Sequence, residues 1–298
     1  MIKSKKETFK AVMLLMPSII LLSVFIYGFI GWTLRVSVSN WRGVIPDYTF
    51  VGFKNYVRVF KSVRFQTDLW NTLYFTIFLL SGCVAAALFL AFTLDRRVKG
   101  ENLFRTIFLF PIALSLVVTG VVWRWMLNPE IGINVLIHKI GFEGFRFGWY
   151  TQPLRILKFN VPLLSVLIAA GWQLTGYIMA MFLAAVRGIP QELRDAWTID
   201  GATEGKAFIR VVIPMIQPVI LSGAILLMHM SLKLFTLVYN MTGPGPAFAT
   251  DVPALNMYET TFSANRFGEG AVISIVLLFL VALVIVPYLY SARKADHS

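Results

Sequence analysis

GIPQELRDAWTIDGATEGKAFIRVVIPMIQP runs from Gly188 to Pro218, about thirty charged and glycine-broken residues between two of the most apolar runs in the chain. Reconnecting two membrane helices takes only a few residues, so this insert calls for its own explanation. Pro190, with a preset φ and no N–H, suits the first turn of a helix. Glu192, following Gln191, sets a negative charge near that helix's positive end. Leu193, Ala196 and Trp197 fall at i, i+3 and i+4 and form one apolar face, while Asp195 and Asp200 keep the rest polar. Gly201 permits a backbone turn that residues with a Cβ resist, and Ala202 leaves room for close approach. A second helical stretch begins near Thr203 and runs through Phe208. Pro214 and Pro218 then remove backbone donors and favour a kink at the entry to the next apolar run. The expectation is two short helices meeting at a glycine elbow. Docking of another protein on the projecting helix fits this pattern, and so does a helix lying on lipid headgroups.

Outward from the insert, composition sets the class. Apolar residues make up 57% and charged residues 14%, with a mean hydropathy of +0.72; a soluble domain carries about 25% charged residues. A bilayer-spanning helix needs about 20 mainly apolar residues, and six runs qualify, at 11–34, 70–94, 106–127, 161–185, 215–238 and 269–291. The fold expected is all-α, an integral membrane protein with six transmembrane helices in one domain over 1–298. Lys3, Lys5, Lys6 and Lys10 precede the first run as in a secretory signal, but its apolar stretch is too long for a signal core and lacks a clear small-x-small cleavage site. It reads as a retained anchor. With the N-terminus inside, the inner segments hold 14 Lys/Arg in about 56 residues and the outer ones 11 in about 98. That density difference favours an N-in/C-in topology. The net charge of +12 is dispersed over the loops and forms no single basic face, which argues against nucleic acid as a partner.

Chemistry of the usual kinds is missing from the sequence. Cys83 is the single cysteine, and His138, His229 and His297 have no zinc-ligand spacing. No P-loop or Gly-x-Ser-x-Gly turn is present. No catalytic residue, metal site or cofactor is therefore assigned to this chain. Polar groups inside spans are expensive and mark functional candidates. Gln173 and Tyr177 lie at i, i+4 in the fourth run, one above the other on a helix face, with Trp172 beside them. Ser231 and Lys233 lie in the fifth run, with His229 one turn before Lys233, and Ser115 follows Pro111 by one turn in the third. Amide, hydroxyl and aromatic groups of this kind suit a carbohydrate, whose hydroxyls need donors and acceptors while its apolar face stacks on a ring. Interhelical packing for Trp172, Gln173 and Tyr177, and snorkelling for Lys233 and Arg124, are the plainer readings.

The elbow residues resemble a known family. Asp195-Ala196-Trp197-x-x-Asp200-Gly201-Ala202, then Phe208, Ile213-Pro214 and Pro218, look like the Glu-Ala-Ala loop of binding-protein-dependent ABC importers. Asp195 stands in for the motif's Glu, Trp197 for its second Ala, and Ile213 for Leu. The resemblance extends along the chain: Phe50–Phe60, Asn128–Gly141 and Met241–Thr250 are similar to segments of maltose-type sugar permeases, with Pro244 where that family prefers glycine. The resemblance implies a permease subunit for a sugar or oligosaccharide in the cell (inner) membrane. It implies as partners a second permease subunit, two ATP-binding subunits carrying ATP and Mg, an extracytoplasmic solute-binding protein, and membrane lipid. The coupling loop would be 188–218, its contacts to the ATPase drawn from Glu192, Leu193, Asp195, Ala196, Trp197, Asp200, Gly201, Ala202, Phe208 and Pro214. The substrate pathway would draw on spans four and five. A non-sugar solute such as glycerol phosphate fits the same elbow. A stand-alone secondary transporter fits less well, since inverted repeats and intramembrane acidic groups are not apparent.

Overall fold

The computed structural model describes residues 5–96, 100–142, 144–156, 159–193, 197 and 203–295. About three quarters of them are helical. The helices are α1 (Lys5–Ser37), α2 (Lys54–Lys61), α3 (Val63–Asp95), α4 (Glu101–Leu109, prolonged by a 3-10 turn over Phe110–Ala113), α5 (Leu116–Met126) and α6 (Ile133–Lys139). A two-residue hairpin pairs β1 (Arg155–Ile156) antiparallel to β2 (Phe159–Asn160). Then come α7 (Leu163–Arg187), α8 (Glu204–Met215), α9 (Gln217–Leu232), α10 (Phe235–Met241), α11 (Pro253–Tyr258) and α12 (Phe267–Ala295).

The apolar runs map onto these helices with two differences. From Val12 onward α1 is long and apolar enough to cross a membrane, as are α3 and α7, and α12 carries an apolar helix over Phe267–Leu283. The third and fifth runs are bent. Between Ala113 and Leu116 the chain turns by 104°, and between Met215 and Gln217 by 73°. The first break follows Pro111, which sits in the 3-10 turn, and Ser115, which adopts an extended backbone and caps α5 by accepting from the Val118 amide. The second falls between Pro214 and Pro218, where the sequence anticipates a kink. The fifth run breaks again at Lys233–Leu234, before α10.

The chain forms two compact units. One comprises Met1–Ser62 with Met257–Phe279, the other Val63–Asn256 with Leu280–Ser298. The smaller unit has a core of Val36, Trp41 and Ala271, with Phe267 stacked on the Trp41 ring at 4.6 Å. In the larger unit, Phe75, Leu79, Cys83, Ala87 and Ala91 repeat every fourth residue along α3, all buried, and α7 supplies Val166, Ala169, Ala170, Ile178 and Phe182 to the same core. Hydrocarbon gives no hydrophobic drive for two helices to associate, so this seam depends on close van der Waals packing. Alanines at four of its positions permit that closeness.

The tightest approach lies at Gly176. A Cβ there would overlap the Phe108 carbonyl, so α4 rests backbone against backbone on α7. Gly176→Ala is expected to force the two helices apart and to lower stability by about 1–3 kcal/mol, the usual cost of overpacking. Thermal unfolding in detergent measures this. Gly82→Ala, where a Cβ meets nothing within 4 Å, should leave the melting temperature unchanged.

Candidate functional site

One apolar cluster joins the two flanks of the insert 188–218. Val186 and Ile189, at the end of α7, meet Val212 and Ile216, around the end of α8, and all four are buried. Trp197 and Phe208 pack against this cluster. The Phe208 ring also lies 4.7 Å from that of Phe92 on α3, whose other neighbour is the Arg96 guanidinium, 4.4 Å from its centre. Arg96 reaches Glu204 at 2.6 Å, while Arg187 pairs with Glu101 at 2.7 Å and donates to the Leu94 carbonyl at 3.0 Å. The exposed Arg96–Glu204 pair is worth about 0–1 kcal/mol, and the apolar cluster joins the flanks directly. Glu192, Leu193 and Pro214 are exposed. Trp197 therefore differs from Leu193, with which the sequence groups it: one is packed inward, the other outward. Asp195, Ala196, Asp200, Gly201 and Ala202 lie outside the described residues.

The polar positions of the spans divide into holders and exposed groups. Gln173 is 4% exposed and its Nε2 donates to the Leu114 carbonyl at 2.8 Å. That carbonyl sits at the break between α4 and α5, so Gln173 replaces a hydrogen bond that a continuous helix would have made. Tyr177, one turn on, is 38% exposed; the two share a stripe of α7 but sit on opposite sides of its buried edge. Trp172 is exposed and meets Trp123 edge-on at 5.8 Å. Ser231 is buried, donates to the Met228 carbonyl and lies 2.7 Å from the Thr76 hydroxyl, which ties α9 to α3. Lys233 and Ser115 are exposed, one at the end of α9 and the other at the start of α5.

A third polar group sits at the opposite end of α3. The Arg64 Nε lies 2.6 Å from a carboxylate oxygen of fully buried Asp251, and its guanidinium covers the Phe248 ring. Asn71 donates to the Phe248 and Asp251 carbonyls and accepts from Asn160 at 2.6 Å. Asn256 donates to Asp68 at 2.6 Å. These bonds fasten the loop 242–256 and the β-hairpin to α3. The loop itself turns on Gly243 and Gly245, both at positive φ, and its Thr250 amide donates to the Pro244 carbonyl. Proline at 244 is thus accommodated between the two glycines that the turn requires.

Residues 82–293 match the family of binding-protein-dependent transport system inner membrane components. The chain belongs to this family. The permease is 37% identical to a probable ABC transporter permease protein of Pyrococcus horikoshii, covering 96% of each chain. It is 32% identical to the xylose/arabinose import permease protein of Haloferax volcanii over 92% of its own length and 85% of the relative's. The trehalose/maltose transport system permease protein of Thermococcus litoralis is 28% identical over 94% and 92% of the two chains. Its fold resembles that of a chain in the crystal structure of a bacterial ABC transporter involved in alginate import, with a TM-score of 0.78, 21% identity and coverage of 98% and 96%.

Sequence reasoning singled out the insert 188–218 and passed over the Arg64–Asp251 group. Its signal was present: Arg64, Asp68 and Asn71 recur at helical spacing around the start of the second apolar run, but their partners lie about 90 to 190 residues away. Removing the guanidinium from a fully buried carboxylate costs about 3–5 kcal/mol. Arg64→Met is therefore expected to lower the melting temperature of the permease markedly, and the double variant Arg64→Met/Asp251→Asn to recover much of the loss. Calorimetry of the two side by side makes the comparison.

Proposed function

We propose that this permease is one of two membrane subunits of a sugar or oligosaccharide importer of the inner membrane, oriented N-in/C-in as a single transmembrane domain over 1–298. An extracytoplasmic binding protein delivers the solute, and two ATP-binding subunits, which carry the ATP and Mg, grip the loop 188–218. The names of the Haloferax and Thermococcus relatives support the solute class. The observation that supports the coupling role is the exposed Glu192–Leu193 pair in an insert whose two flanks are held together by Val186, Ile189, Val212 and Ile216. An insert clamped at both flanks acts as a lever in this reading. Displacement of its tip by the closing ATPase pair is passed to α7 through Ile189 and to α9 through Ile216, in place of being lost in a loose loop.

Within that reading the ATPase contacts come from Glu192, Leu193, Asp195, Ala196, Asp200, Gly201 and Ala202, and Trp197, Phe208 and Pro214 set the geometry of the lever. The solute passes the exposed Trp172, Tyr177, Ser115 and Lys233, while Gln173 and Ser231 hold the helices that present them.

Co-purification of the wild-type chain in mild detergent, with mass spectrometry of every accompanying chain, tests the assembly. A second permease and a P-loop ATPase are expected, and repeated recovery of the chain alone would sink the reading. Gly201→Asp is expected to release the ATPase or to uncouple hydrolysis from uptake, and normal uptake by that variant would remove the docking argument. In the pathway, Trp172→Ala and Tyr177→Ala should reduce solute uptake at least several-fold while the ATPase still co-purifies. Gln173→Leu should instead lower the melting temperature, because the Leu114 carbonyl loses its donor.

A further inference from the structure

Helix α2 presents an arrangement that neither transport nor coupling accounts for. Its rotation about its own axis is set by Asn55, which donates to the Ser37 and Ser39 carbonyls at 3.0 and 2.8 Å, and by buried Val59; the Tyr56 hydroxyl lies 2.9 Å from that of Ser37. With this face turned inward, two stripes are left outward. Lys54, Arg58 and Lys61 fall within about 60° of one another at 100° per residue, and all three are exposed. Immediately beside them on the wheel come Phe53, Val57 and Phe60, also exposed.

The basic stripe is not neutralised by its surroundings. Among the described residues, Lys54 and Lys61 have no carboxylate partner. Arg58 shares one carboxylate, Glu269, with Arg42 and Arg266: it lies 3.9 Å from Glu269 and Arg266 lies 3.8 Å from it, with Arg42 in direct contact. Three guanidinium groups around a single carboxylate leave a positive excess next to the two lysines. Phe53, Val57 and Phe60 meanwhile leave an apolar strip on the same helix.

We infer that this face of α2 binds an anionic phospholipid, its phosphodiester on Lys54, Arg58 and Lys61 and its acyl chain along Phe53, Val57 and Phe60. A lipid is the ligand that presents a negative head and an apolar tail side by side, as these two stripes require. An acidic protein surface would match the bases and leave the phenylalanines unexplained. Position along the chain agrees. The helix follows the end of span α1 and is separated from span α3 by Ser62 alone, which sets it at the boundary between water and hydrocarbon, where basic and aromatic side chains collect. In the proposed orientation the leaflet is the outer one.

Native mass spectrometry of the full chain, titrated with phosphatidylglycerol or with phosphatidylcholine, tests this. Saturable binding of phosphatidylglycerol is expected to be at least tenfold tighter than that of phosphatidylcholine. Lys54→Gln/Lys61→Gln, which spares the Glu269 group, should weaken phosphatidylglycerol binding roughly 10- to 30-fold, with the melting temperature and phosphatidylcholine binding unchanged. Phe53→Ser/Phe60→Ser should weaken both lipids, and Lys139→Gln on α6 neither. Inorganic phosphate at millimolar concentration should not displace the lipid. Equal binding of the two lipids, or a lysine double variant that binds phosphatidylglycerol like the wild type, overturns the proposal. If that variant keeps its lipid but loses stimulation of ATP hydrolysis by the binding protein in the assembled complex, the face receives an acidic protein surface, and the lipid assignment is likewise overturned.

Discussion

Hydrocarbon offers no water to a backbone carbonyl that a helix has released, so a break within a span persists only where protein supplies the missing partner. The bend between α4 and α5 meets this demand with two side chains. Ser115 accepts from an amide at the start of α5, and Gln173 donates to the Leu114 carbonyl. Gln173 reaches that carbonyl because of how α7 is turned, and α7 is turned by its seam with α3, where small residues let the helices meet closely. Gly176 sits three residues further along the same helix and admits the α4 backbone. One packed helix thus holds the bent span by its carbonyl and by its backbone at once.

The two ends of this scaffold handle polar groups in different ways, and the difference suits a transporter. At the elbow, charge is kept at the surface and the apolar cluster of Val186, Ile189, Val212 and Ile216 does the holding. Ion pairs such as Arg96–Glu204 are exposed and interchangeable with water, so a partner can bind beside them without a large desolvation cost. At the other end of α3, Asp251 and Asn71 are buried and satisfied by guanidinium, amide and backbone groups. Buried networks of that sort are costly to disturb, and the loop 242–256 is correspondingly fixed.

Much of this architecture was legible before any coordinates. Six apolar runs and the kink between Pro214 and Pro218 follow from local chemistry, since hydropathy and proline geometry belong to the residues themselves, and the family followed from the resemblance of the insert's motif. The break after Ala113 was less visible. Pro111 announces a disturbance, but a sharp turn within a span is stable only with a donor from elsewhere, and nothing near position 173 says that its amide will reach position 114.

The same limit applies to the individual side chains. Gln173 and Tyr177 share a stripe by spacing, and Leu193 shares one with Trp197, yet in each pair one member is turned inward and the other is exposed. Spacing establishes which residues share a helix face. It does not establish where that face meets its neighbour, because the edge of a buried stripe is drawn by the helix packed against it. The sequence by itself determined the apolar runs, the place of the polar insert between two of them and the resemblance to the family. The tertiary structure alone decided which polar groups hold helices together and which remain exposed, since that depends on contacts between residues far apart in the chain.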